Sequence, residues 1–239
     1  MAAAMKQVLI ILGLAVALLE GPATTRPQAA QDLDDAQILA LPIPYDVEFT
    51  GPPQQTLWFL LHDVGLSIGI VQEFHGCSNE SHLGLKVKKG TTIREAMDAF
   101  VASNPDFRWQ LQDHVINLEP KGGVPALLTT KLHSVQLHTF DNWAASAGMF
   151  ELFKLPEIQK RLKEFKVEER GQTAGGPSAV NIRPGPPPPP PRVIDINLRD
   201  VTVQDVFNAI VRTHGKEIWF YAESECNGET AYSIHSWKN

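Results

Sequence analysis

Positive charge is what this sequence has too little of. Its 21 Lys and Arg stand against 27 Asp and Glu, a formal net charge of −6, and no basic stripe is interleaved with aromatics. Nucleic-acid affinity depends on Lys and Arg neutralising phosphates, so a general polyanion binder is excluded. No apolar run reaches the roughly 20 residues that a membrane-crossing helix needs. There is no G-x-S-x-G elbow and no glycine-rich phosphate loop between a strand and a helix, so neither hydrolase nor nucleotide chemistry has a motif to stand on. The composition, 43% hydrophobic and 20% charged over 239 residues, is ordinary for a globular chain. That length suits one large domain or two small ones.

What is present begins with an export signal. Lys6 supplies a positive n-region, Val8–Leu19 is an apolar core of 12 residues, and Gly21 and Ala23 stand at workable cleavage positions. Residues 1–23 are therefore expected to be a signal peptide; an uncleaved anchor is the other reading. Either way the body is expected to be exported, to the periplasm, touching membrane only through this segment if it stays uncleaved. Residues 24–44, rich in Pro, Gln, Ala and Thr, read as a tether. Residues 171–192 contain GGP and PGPPPPPP and read as a linker or insertion, because consecutive prolines favour polyproline II and lack amide donors.

A repeat organises the rest. Lys86–Trp109 aligns without a gap on Ile196–Trp219 at an offset of 110 residues. Ile93, Ala96, Met97, Phe100 and Val101 match Val203, Val206, Phe207, Ile210 and Val211, each set forming one apolar helix face. Thr92 with Glu95 and Thr202 with Asp205 have capping-box spacing. Ile93, Met97, Phe100, Val203, Phe207, Ile210, Trp109 and Trp219 are the expected core of the repeat. Alternating strands are expected before each helix, at Leu83–Val87 and Val193–Leu198, and after each, at Phe107–Leu111 and Glu217–Tyr221. Upstream, Asp46–Thr50 reads as a strand, Leu57, Leu60, Leu61 and Val64 as a helix face, and Ser67–Glu73 as a strand. With His114–Leu118 they make residues 45–120 a β-α-β-β-α-β module. A second module is expected from 126–170 (strand Lys131–Leu137, helix Asn142–Phe165 jogged at Pro156, a charged strand Lys166–Glu168) and 193–239, ending in Tyr232–Ser236. The predicted fold class is α+β, in tandem modules with small three-stranded sheets covered by helices.

This order of elements, with Gly90-Thr91-Thr92-Ile93-Arg94-Glu95-Ala96-Met97 opening the second helix, resembles the short N-terminal domain of secretins and TonB-dependent receptors. The resemblance covers residues 46–120 well and 193–237 loosely. No segment follows for the β-barrel or secretin ring, so pore formation and siderophore transport are not expected to carry over. The resemblance implies an envelope module that binds protein partners or packs on sister modules.

Other constellations point to less. Among eight histidines, His75-Gly76-Cys77 with His82 is the densest group. A second ligand pair at zinc spacing is missing, and His133 and His138, five apart, would fall on opposite faces of a strand. Asp34-Asp35 and Glu168-Glu169 read as solvated charge. No metal, cofactor or catalytic residue is expected. Cys77 and Cys226 each follow a helix, a glycine and an apolar strand; they are either a disulfide pair or separate thiols on separate modules. The sequence thus predicts a non-catalytic, exported interaction or scaffold module with an envelope protein partner and no nucleic acid. The alternative is an exported small-molecule binder, or a hydrolase without a recognisable motif.

Overall fold

The computed structural model describes residues 33–58, 64–77, 83–140, 144–170 and 190–238. The expected signal peptide, residues 24–32 of the tether, Leu60, Leu61, His82 and most of the proline-rich stretch lie outside them.

In the first half the elements are α1 (Asp35–Leu39), β1 (Val47–Gly51), α2 (Pro53–Thr56), β2 (Ser67–His75), β3 (Leu83–Val87), α3 (Ile93–Ser103), β4 (Phe107–Gln112) and β5 (Val115–Pro120). The second half repeats the order from β1 onward, with two helices where the first has α2: β6 (Lys131–Phe140), α4 (Ala145–Phe153), α5 (Pro156–Phe165), β7 (Val167–Glu169), β8 (Val193–Thr202), α6 (Val203–His214), β9 (Glu217–Cys226) and β10 (Glu229–Lys238). The fold is α+β. Both repeat helices start in reciprocal capping boxes, Thr92 with Glu95 and Thr202 with Asp205, which satisfy amides that a first helical turn leaves unpaired. Pro156, which lacks an amide, begins α5 and splits the expected long helix in two.

Each half also pairs its strands in the same way. β1 and β3 form one antiparallel ribbon, β6 and β8 another. The remaining strands make two trios, β4-β5-β2 and β9-β10-β7, each an antiparallel hairpin followed by a parallel neighbour. The hairpins turn through Asp113–His114 and Asn227–Gly228, all four at positive φ, as tight two-residue turns require.

Two expectations need correction. The trios are not separate small sheets: β2 pairs in parallel with β9, from Ile68 opposite Ile218 to His75 opposite Glu225, giving one six-stranded sheet in the order β4-β5-β2-β9-β10-β7. Apolar residues on both faces of β2 demand this, since Ile68, Ile70 and Val71 are all fully buried. Nor is all of the tether loose chain. Asp34 caps α1 through a box with Gln37, Ile38 and Ile43 are fully buried, and Pro42 bridges to Thr92.

Two cores result. One gathers α3, the β1–β3 ribbon and α1 with Ile68, Ile70, Ile218 and Phe220; the other gathers α4, α5, α6 and the β6–β8 ribbon with Val71, Trp219 and Tyr221. Consecutive residues of a strand point to opposite faces, so α3 and α6 cover opposite sides of the sheet.

Candidate functional site

The joint between the halves defines what a covered strand edge looks like in this fold. Trp219 is fully buried, and its indole N–H donates to Asn208 Oδ1 of α6 at 2.9 Å. Its ring lies across to the neighbouring strand, where Gly69 is its register partner. A Cβ on Gly69 would stand 2.3 Å from Trp219 Cε2 and Cζ2, so only glycine fits beneath the ring. Past the end of this ladder the Gly76 amide donates to the Glu225 carbonyl at 2.9 Å. There Cys77 and Cys226 form a disulfide with Cα atoms 4.8 Å apart. Cys77 is thereby withdrawn from the His75-Gly76-Cys77 group as a ligand.

β4 is the repeat mate of β9, and Trp109 of Trp219. The Trp109 indole donates to Asp98 Oδ1 of α3 at 2.9 Å, and Asp98 is the repeat mate of Asn208. Here the likeness stops. β4 is the end strand of the sheet, and among the described residues nothing pairs with its outer side. Trp109 was expected in the core; it is only half-buried, with Phe107 and Leu111, because no strand lies beyond it.

The other face of β4 is polar and firmly held. Glu119 on β5 is 1% exposed and accepts hydrogen bonds from Arg108 Nε (3.1 Å), Gln110 Nε2 (2.9 Å) and Gln204 Nε2 (2.7 Å), while Arg108 Nη2 lies 3.0 Å away. Gln112 Nε2 donates to Asp205 Oδ1 at 2.7 Å. A buried carboxylate needs such donors to offset lost hydration. These bonds tie the end strand to α6 of the other half, so β4 is a fixed edge and not a fraying one. Gln204, whose equivalent Arg94 is exposed, is buried for this purpose. No pattern in the sequence marked it.

The remaining sequence candidates are dispersed. His133 and His138 are both exposed and lie near Asp200 (3.3 Å) and Asp195 (2.5 Å) of β8. Opposite faces fail because the burial rhythm of β6 slips between Leu132 and Val135, where the partner strand carries Asp200 at φ 53. His214 is buried with Glu217 at the α6–β9 junction, its Nε2 3.2 Å from Thr139 Oγ1, while Glu217 Oε2 accepts the Ala145 amide at 2.7 Å. This cluster ties α4, β6 and β9 together. Glu168 and Glu169 lie in β7, and Asp34 caps α1. Among the described residues no three His, Cys, Asp or Glu side chains gather as a metal site. A shallow aromatic cleft of about 390 Å³ lies between Phe49, Gln54, Gln55, Trp58 and Trp237.

No family model matches this chain, nor does any curated protein or solved structure.

Proposed function

We propose that the protein is a non-catalytic interaction or scaffold module, exported to the periplasm of a bacterial-type envelope, whose β4 edge receives an extended segment of a protein partner. The observation that carries this reading is the contrast between two repeat-related strands: β9 has its outer side covered by β2, and β4 keeps the same architecture with no strand on that side among the described residues. An open strand presents a row of unpaired N–H and C=O groups, a template for strand addition. Rigid support from Glu119 lowers the ordering cost of binding there. The signal-like N-terminus and the resemblance to secretin and TonB-receptor short domains are the grounds for the envelope setting.

Site-specific photo-crosslinking in cells tests it. A photoreactive residue replacing Gln110, exposed on β4, should give a discrete adduct with another protein; one replacing Lys160, exposed on α5, should not. An adduct at Lys160 with none at Gln110 would move the interface away from β4. The alternative, an exported small-molecule binder, draws on the aromatic cleft at Trp58 and Trp237. It would gain ground if native mass spectrometry of the exported protein found a bound small molecule that Trp237→Ala releases.

A further inference from the structure

We infer that the strand received by β4 runs parallel to it and places a glycine opposite Trp109, flanked by polar residues. This rests on the edge reading above and adds the chemistry of the partner.

The internal joint supplies the rule. β2 runs parallel to β9, and the residue opposite Trp219 is Gly69 because the indole occupies the space of any side chain there. The shared bond from the indole N–H to the helix, Asn208 in one half and Asp98 in the other, holds the two rings alike relative to their helices. The Trp109 ring therefore lies over the lane that a strand beside β4 would take. Any side chain opposite it would meet the ring, as a Cβ at Gly69 would meet Trp219.

The flanking positions differ between the two edges. At the joint, Ile68 and Ile70 stand opposite Ile218 and Phe220 and enter an apolar core. Their counterparts on β4 are Arg108 and Gln110, both exposed and both engaged with Glu119. The incoming strand is thus polar–Gly–polar where β2 is apolar–Gly–apolar. The end strand that a second copy would offer, β7, reads Val167-Glu168-Glu169 and has no glycine, so β7 does not satisfy that rule. The occupant inferred is a segment of a different protein.

The test uses the whole oxidised chain, whose own β2 is held in place by the disulfide. The probe is the peptide STGTVQEFH, the β2 sequence with Ile68→Thr and Ile70→Thr. Two-dimensional NMR follows the amides of Phe107–Gln112. The peptide should shift them, and a spin label on its first residue should broaden Phe107 more than Gln112, as parallel pairing requires. Valine in place of the peptide's glycine should weaken binding about tenfold or more, the cost of overpacking beneath the ring. Trp109→Ala in the protein should restore binding of the valine peptide to within about twofold of the glycine peptide. Equal binding of both peptides to the unaltered protein would overturn the glycine rule and leave the edge reading standing. The reverse broadening order would overturn parallel pairing, and no shift at β4 with either peptide would overturn the inference outright. The crosslinking at Gln110 tests the edge reading separately.

Discussion

From β1 onward the two halves of the molecule place their strands and the matched helices α3 and α6 in the same order, yet those helices live in different surroundings. α3 buries four residues on one face, Ile93, Ala96, Met97 and Phe100, and packs on β3, β4 and the short α1. α6 buries nine of its twelve, including polar Gln204, Asn208 and His214, because α4 and the β6–β8 ribbon enclose it as well as the sheet. Local sequence chose helix, cap and apolar face alike in both. What lies beside each unit decided how much of it is core, and the difference between a covered and an open edge strand follows from the same cause.

The largest test of that comparison removes the covalent lock on the covered edge. Cys77 and Cys226 are separated by 149 residues, and the chain-entropy model gives a loss of about 5 kcal/mol for Cys77→Ser with Cys226→Ser, a model-dependent upper figure. Chemical denaturation of the double variant against the oxidised parent measures it. A loss below about 1 kcal/mol would mean that the strand ladder alone joins the halves.

Next come the two tryptophans. Trp219→Ala should cost about 3–5 kcal/mol, the usual range for emptying a fully buried aromatic site. Trp109→Ala, at a half-buried position, should cost no more than about half as much. Equal losses in thermal unfolding would mean that β4 is covered in solution, and with it the contrast between the edges would fall.

A smaller pair sharpens the comparison within the helices. Gln204→Ala strips a buried donor from Glu119 and should cost about 1–3 kcal/mol. Its repeat mate is exposed, and Arg94→Ala should stay within about 0.5 kcal/mol. Similar costs at both positions would show that Glu119 finds another donor when Gln204 is lost.

Features governed by a few neighbouring residues were readable in advance. The apolar faces of α3 and α6, both capping boxes and the strand on either side of each helix follow from spacings within a dozen residues. The Asp34–Gln37 box of α1 was equally local, but it sits in a stretch whose Pro, Gln and Ala content suggested a tether. The pairing of β2 with β9 had no local signature, since about 150 residues separate strands whose register is set by Trp219 over Gly69. Trp109 and Trp219 match in the repeat, but their neighbours do not: Arg108 and Gln110 flank one, Ile218 and Phe220 the other, and apolar residues on both faces of β9 were the local sign of a strand covered on both sides. The polar ties of Glu119 to Gln204 and of His214 to Thr139 join residues 85 and 75 apart. Such pairs have no periodicity to betray them.

The finest test is a pH dependence at the covered edge. Glu223 on β9 stands opposite Glu73 of β2 in the joint, and Tyr221 donates to its Oε1 at 2.5 Å. Burial pushes the Glu223 carboxyl above its usual range; the Tyr221 hydrogen bond pulls the other way, and the Glu73 charge adds to the rise. Burial also raises the Tyr221 phenol well above its ordinary value, so it remains a donor across the neutral range. A carboxyl whose pKa is higher folded than unfolded binds more protons in the folded state between the two values. Its stabilising contribution is therefore complete below the unfolded pKa and is lost as pH rises through the folded one. Glu223→Gln cannot titrate, keeps an acceptor for Tyr221 and removes one charge from the Glu73 pair. Relative to the parent, the variant should gain stability as pH rises from about 4 toward neutrality and show no such gain below the ordinary carboxylate range. Denaturant midpoints across that window measure the difference. A constant difference between the two proteins would mean that Glu223 titrates alike folded and unfolded, and that the Glu73–Glu223 pairing places no electrostatic load on the joint.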